Sequence, residues 1–340
     1  MKFSRTSHFG SISIICAFIA LTACAPRVEP AGEAMSTPAL AADEYVASDG
    51  AKLPIQRWLP DVPQGDPPKA VILGLHGMND YANAFAMPGA WWAQHGIATY
   101  AYDQRGFGRA PHPGYWPGEA TLVGDLDAMV GLLHARYPGT PLYLLGESMG
   151  GAVVMAAMAR PDRPKVDGVI LSAPAVWGRT TMDIGKQVAL WASAHTVPWW
   201  TVTGKGLDIT PSDNREMLVA LSRDPLVIKE TRIDAIWGLV NLMDDALAVA
   251  PKLDGVPVLI LYGEHDEVIP KDPTLIMIEH LPPFPTAPRT IAVYPKGYHM
   301  LLRDLEAKTL WEDVLHWVDD PRAPLPSGDD RVGIQALEGQ

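Results

Sequence analysis

The residues best equipped for chemistry lie in "LLGESMGGAVV" (144–154), where Ser148 stands between Gly146 and Gly150 at the end of an apolar run. A GxSxG pentapeptide that closes a strand and opens a helix is a nucleophile elbow, because small neighbours permit the strained turn that lifts the hydroxyl above a sheet. The start of the helix also aims free backbone N–H groups at charge developing there. A serine hydroxyl needs a base, and the base needs a partner that fixes its tautomer. In chain order these are expected downstream, acid first and histidine second. Of ten histidines, His299 in "PKGYHML" follows the last apolar run and is the candidate base. His280 and His316 fall within helical patterns and read as surface positions. The stretch "LYGEHDEVIP" offers Glu264, Asp266 and Glu267. Asp266, in the turn, is the candidate acid, with Glu264 its rival and His265 its bystander.

An acyl-transfer site also needs donors for an oxyanion. The backbone N–H of Met149, directly after the nucleophile, is one candidate, and that of Met78 in "HGMND" (76–80) is the other. His76 reads as ordering this loop rather than moving a proton. No HExxH or paired-cysteine spacing occurs, so neither a metal nor a cofactor is expected.

The elements that must position these groups are short, continuous apolar runs at 70–75, 97–102, 142–145, 169–171, 258–262 and 291–294. Uninterrupted runs of this length predict strands covered on both faces. Between them, 119–137, 148–160 and 304–319 carry apolar residues at helical spacing. The alternation predicts an α/β fold, a mostly parallel sheet flanked by helices. A core is expected over 44–175 and 251–320, interrupted at 176–250 by an inserted helical cap with no strand, and followed by a Pro/Gly-rich tail at 321–340.

Composition agrees with a large packed core: 340 residues, 48% hydrophobic and 19% charged. The net charge of −12, with no Lys/Arg cluster, speaks against a nucleic-acid partner. Oligomeric state is left open. At the N-terminus Lys2 and Arg5 precede an apolar segment at 12–20 and then "LTAC" (21–24), which reads as a cleaved secretion signal over 1–23. "LTAC" resembles a bacterial lipobox, which would lipidate Cys24 and hold the protein at a membrane; an ordinary signal peptide is the alternative. Ala25 instead of an acid after the cysteine points to the outer membrane of a bacterial envelope. Residues 24–43, rich in Ala and Pro, read as a flexible tether.

"HGMND", "DQRGFGRA" (103–110), "GESMGG" (146–151), "GEHDEVIP", "GYHML" and the cap stretch "RDPLV" (223–227) occur in the order seen in α/β-hydrolases of the monoacylglycerol lipase and lysophospholipase group. The chain resembles that group over about 45–318. The resemblance implies the α/β-hydrolase fold and an esterase or lipase with Ser148, Asp266 and His299 as triad and Met78 and Met149 as oxyanion donors. The chain departs from the group's pattern at Asn79 and Asp80, where many members have a Glu-His pair, and at Ala110 in place of serine. Both departures bear on headgroup recognition and leave the triad intact.

Dehalogenases and epoxide hydrolases of this scaffold carry Asp where Ser148 stands. A serine aminopeptidase shares the elbow and would need cap acids for a substrate amine, such as Asp183, Asp208 or Asp213. A short-chain carboxylesterase and a non-catalytic binding module are further alternatives, although the module would be expected to lack a triad member. For the cap, five of eleven tryptophans fall at Trp177, Trp191, Trp199, Trp200 and Trp237. Ile233, Ile236, Trp237, Val240, Met243 and Leu247 recur at helical spacing opposite 189–200. An acyl tunnel lined by Trp191, Trp199, Trp200 and Trp237 is therefore expected, with a single-chain lipid ester, a monoacylglycerol or lysophospholipid, as substrate.

Overall fold

The computed structural model describes residues 25–331 and 337, apart from 64, 207 and 284. Among these residues one sheet holds nine strands: β1 (Ala39–Leu40), β2 (Glu44–Val46), β3 (Lys52–Trp58), β4 (Ala70–Leu75), β5 (Ile97–Tyr102), β6 (Leu142–Glu147), β7 (Gly168–Ser172), then, after a separate pair β8 (Thr201–Val202) and β9 (Thr231–Arg232), β10 (Val258–Gly263) and β11 (Arg289–Tyr294). The helices are α1 (Ala86–Ala93), α2 (Glu119–Arg136), α3 (Met149–Met158), α4 (Ile184–Thr196), α5 (Arg215–Arg223), α6 (Ile233–Val249), α7 (Lys271–His280) and α8 (Ala307–Asp319). Strand order is β1-β2-β3-β5-β4-β6-β7-β10-β11, with every pairing from β5 to β11 parallel. All six apolar runs are strands.

Alternation decides which core each side chain enters. Val71, Leu73 and Leu75 of β4 join the core beneath α2, α3 and α6, whereas Ala70 and Ile72 join the opposite core with Trp92 of α1 and Trp317 of α8. The parallel strands are buried on both faces for that reason. β3 alternates buried Leu53 and Ile55 with more exposed neighbours, the pattern of an antiparallel strand near the sheet's edge. That pattern is weaker than a continuous run, and β1 to β3, α1 and α7 were not expected.

Two of the expected segments need correcting. Residues 25–43 do not trail as a flexible tether: Val28 bridges Trp116, Ala31 N–H donates to Thr121 Oγ1 at 3.0 Å, Met35 N–H to Ser48 O at 2.7 Å, and β1 extends the sheet beside β2. The segment has few large side chains, but an open strand edge offers its backbone partners instead. Of the tail, the described residues pack on the body, with Leu325 and Leu337 buried and the Ser327 N–H donating to Asp313. Within 176–250, the β8–β9 pair is a strand element where none was expected. Here α6 packs on α3, and its Ala235, Leu242, Ala246 and Leu247 belong to the same buried cluster, so the cap's longest helix is also a wall of the core. No helix of the described residues is long and apolar enough to cross a membrane. Cys24 and the signal segment 1–23 lie outside the described residues.

Candidate active site

The parallel strands end at one edge, and β4, β6, β10 and β11 all deliver site residues there. Leu75 of β4 is in register with Gly146 of β6, so the "HGMND" loop and the serine turn leave the sheet side by side. A Cβ on Gly77 would stand 3.3 Å from Ser148 Cβ, which measures how closely the two turns approach.

Ser148 caps the N-terminus of α3 with φ 53° and ψ −116°, a sparsely populated region for any residue with a side chain. The flanking glycines make that turn possible. A Cβ on Gly150 would overlap the Leu75 carbonyl oxygen, and one on Gly146 would lie 2.5 Å from the Gly150 carbonyl oxygen. The strain, of order 1–3 kcal/mol, is held by the Ser148 N–H donating to Ser172 O at 2.9 Å and by Ala175 N–H donating to Ser148 O at 2.9 Å. The backbone N–H groups of Met149 and Met78 donate to no protein acceptor among the described residues. Met149 is the first residue of α3, where no intrahelical acceptor exists. Both N–H groups border the serine.

Asp266 follows β10 and is buried, while Glu264 and Glu267 beside it are exposed. Its Oδ1 accepts from Val268 N–H at 2.8 Å and Ile269 N–H at 2.9 Å, and its Oδ2 accepts from His299 Nδ1 at 2.9 Å. That bond puts the ring proton on Nδ1 and leaves Nε2 as the basic nitrogen. His265 packs on Tyr298 at a tilt, away from this bond. His76 is wholly buried, with Nδ1 donating to Gly77 O and Nε2 accepting from Gln104 N–H. Burial pushes its pKa down, so it is a neutral brace for the loop.

Ser148, His299 and Met78 line one cavity of about 420 Å³, within the range of ordinary small-molecule sites. Ser148 Oγ and His299 make no direct hydrogen bond among the described residues; they meet across this space. Its apolar wall comes from Trp177 and Met182 at the start of the cap, from Ile236, Val240 and Met243 of α6, and from Ile269. The tryptophans expected to line it do not. Trp191, Trp199 and Trp200 are 57%, 50% and 61% exposed, and Trp237 is held between Arg179 and His195. Helix geometry gives the reason: Ile236, Val240 and Met243 repeat at i, i+4 and i+7, and Trp237 sits about 100° round from Ile236. Residues 189–200 therefore do not form the opposite wall. Pro211, Val268 and Met300 stand on the cavity's other sides.

Three charged groups in the same lining were not expected. Arg303, four residues after His299, donates from one terminal nitrogen to Asp80 Oδ2 at 2.8 Å and from the other to Glu147 at 3.1 Å. Burial raises the Glu147 pKa, while its Arg303 partner opposes the shift. A buried glutamate beside the nucleophile demands a cationic partner. That demand is the signal in "GESMGG" that could have found Arg303. Asn79, at φ 66°, ties the same loop to the cap: its Nδ2 donates to Thr231 Oγ1 at 2.7 Å, and its carbonyl accepts from Ile228 N–H.

A parallel sheet covered on both faces, with a serine elbow, an acid–histidine pair and a helical cap over its carboxyl edge, is an α/β-hydrolase. The chain belongs to the family described as serine aminopeptidase, S33, whose profile matches residues 66–306. It is similar to the monoacylglycerol lipase of Mycolicibacterium smegmatis, 26% identical over 289 residues that cover 81% of this chain and 95% of that protein. It is also similar to the monoglyceride lipase of Homo sapiens, 24% identical over 82% of this chain and 90% of that one. In fold it matches a soluble variant of the Saccharomyces cerevisiae monoglyceride lipase, solved with a substrate analog, at a TM-score of 0.68 and 20% identity, covering 86% of this chain and 98% of that one.

Proposed function

We propose that this protein hydrolyses carboxylic esters of single-chain lipids, monoacylglycerols or lysophospholipids, through an acyl-enzyme on Ser148. The observation that carries the reading is one apolar-walled cavity that contains both Ser148 and the Asp266-held His299. His299 Nε2 takes the Ser148 hydroxyl proton as Oγ attacks the ester carbonyl carbon. The oxyanion forms beside the Met78 and Met149 N–H groups, and Asp266 stabilises the imidazolium. Collapse breaks the bond to the alcohol, which leaves with the proton from His299. Water then loses a proton to His299, adds to the acyl carbon and releases the fatty acid, and the proton returns to Ser148 Oγ.

The aminopeptidase alternative needs a free carboxylate for the substrate's ammonium group. The carboxylates lining the cavity, Asp80 and Glu147, are both engaged by Arg303. Of the cap acids, Asp183 caps α4, Asp208 is exposed, and Asp213 accepts from Leu305 N–H. Lipid esters therefore fit the cavity better than aminoacyl amides. Kinetics on monoacylglycerols, lysophospholipids, short esters and aminoacyl amides test this, and faster turnover of the amides would overturn it. Lipidation at Cys24, with residence at the outer membrane of a bacterial envelope, is part of the same proposal, because it would bring the cavity to its lipid substrate.

A further inference from the structure

The mechanism above makes no use of the most heavily buried charges in the cavity wall. Arg303, Asp80 and Glu147 have side chains only 6%, 9% and 2% exposed, yet all three lie beside the reacting groups. Their positions along the chain are unusual. Asp80 lies two residues after Met78, Glu147 immediately precedes Ser148, and Arg303 lies four residues after His299. A single guanidinium thus touches each of the three segments that carry the oxyanion donor, the nucleophile and the base. Other bonds tie these loops to the cap and the core, as Asn79 to Thr231 and the Ser148 N–H to Ser172 O, whereas the Arg303 cluster ties all three to one another.

We propose that Arg303 is a positioning residue: its guanidinium, shared between Asp80 and Glu147, holds the Met78 loop, the Ser148 turn and the His299 loop in register. The inference rests on Ser148 and His299 acting as proposed. A planar fork with two terminal nitrogens suits this role, because each can take a separate carboxylate at fixed geometry, which an ammonium cannot. The three side chains are buried, so the interaction is poorly screened. Around His299 the other charged or titratable groups are Asp266, which accepts its Nδ1 proton, Asp304, which accepts from Tyr298 N–H and Ser212 Oγ, and the buried neutral His76 behind the Met78 loop. Asp304 ties the His299 loop to Ser212 of the cap, whereas the Arg303 cluster joins the three segments that carry the reacting groups.

The experiment is a set of kcat and KM measurements on a soluble short-chain ester for wild type, Arg303→Lys, Arg303→Gln and Glu147→Gln. Rates are normalised to sites titrated with a fluorophosphonate, so unfolded protein does not count. Arg303→Gln is expected to lower kcat roughly 10²-fold with KM changed less than about threefold, since misplacement by about an ångström costs that much. Arg303→Lys should recover part of the loss, because it restores the charge without the fork. Glu147→Gln should lower kcat by a smaller factor than Arg303→Gln, with KM little changed, because Asp80 still anchors the guanidinium. A role confined to folding would change the titrated fraction and leave the kcat per site in place, and this result would overturn the proposal. If wild type itself does not react with the fluorophosphonate, the nucleophile assignment fails first and the proposal falls with it.

Discussion

Asp266 and His299, 33 residues apart in the chain, are joined by a 2.9 Å hydrogen bond from His299 Nδ1 to Asp266 Oδ2. The carboxylate is itself fixed, because its other oxygen accepts from two backbone N–H groups of the following turn. The imidazole is thereby held with Nε2 free, on the cavity that Ser148 also lines.

The three residues should therefore fail as a unit. Ser148→Ala or His299→Ala is expected to remove turnover on the order of 10⁶-fold, and Asp266→Asn roughly 10⁴-fold, by analogy with other serine hydrolases. Combining Ser148→Ala with His299→Ala should add little further loss. Substantial hydrolysis by Ser148→Ala would falsify the mechanism.

The cavity wall makes a prediction about chain length. Each methylene buried against Trp177 and α6 is worth about 0.8 kcal/mol, or about fourfold in kcat/KM, until the space is filled. Medium or long acyl chains should thus exceed acetyl and butyryl in a series of p-nitrophenyl esters assayed below their micellar concentrations. Leu239→Trp, which adds volume in the lining, should shift the optimum to shorter chains, while Trp191→Ala and Trp199→Ala should leave it unchanged. A reversed result would return the acyl site to the exposed tryptophans.

Glu119, at the start of α2, has its pKa pushed up to about 7, first by burial and then by Asp245 alongside. The unfolded value is about 4.3, so the fold holds the extra proton between the two values. The stability tied to that proton is complete below about pH 4 and is lost as pH rises through about 7. Glu119→Gln should accordingly raise Tm by about 2–4 °C at pH 8 and leave it nearly unchanged at pH 4. Calorimetry at the two pH values checks the sign, and an equal shift at both would refute the assignment.

Replacing Cys24 with Ala should release the protein from membranes or leave its precursor uncut. Fractionation after a salt wash, with mass spectrometry of the N-terminus, reads the outcome. A Cys24→Ala protein that stays with the membrane places the anchor elsewhere.

Much of this protein was already determined by local sequence. Six continuous apolar runs point to a parallel sheet covered on both faces, and "GESMGG" after one of them reads as a strand-to-helix elbow; the folded chain shows why glycine stands at 146 and 150, since a Cβ at either would collide with backbone. Chain order then nominated Asp266 and His299. Tertiary structure chose between Asp266 and Glu264, since only packing decides which of two nearby carboxylates turns inward. It also decided the acyl wall, because a rotation of about 100° per residue separates Ile236 from Trp237 and the sequence does not record which way α6 faces. Residues 25–43 became docked through backbone hydrogen bonds that composition does not encode. Arg303 meets Asp80 and Glu147 across separations of 223 and 156 residues, so its partners exist only once the three loops have been brought to one edge of the sheet.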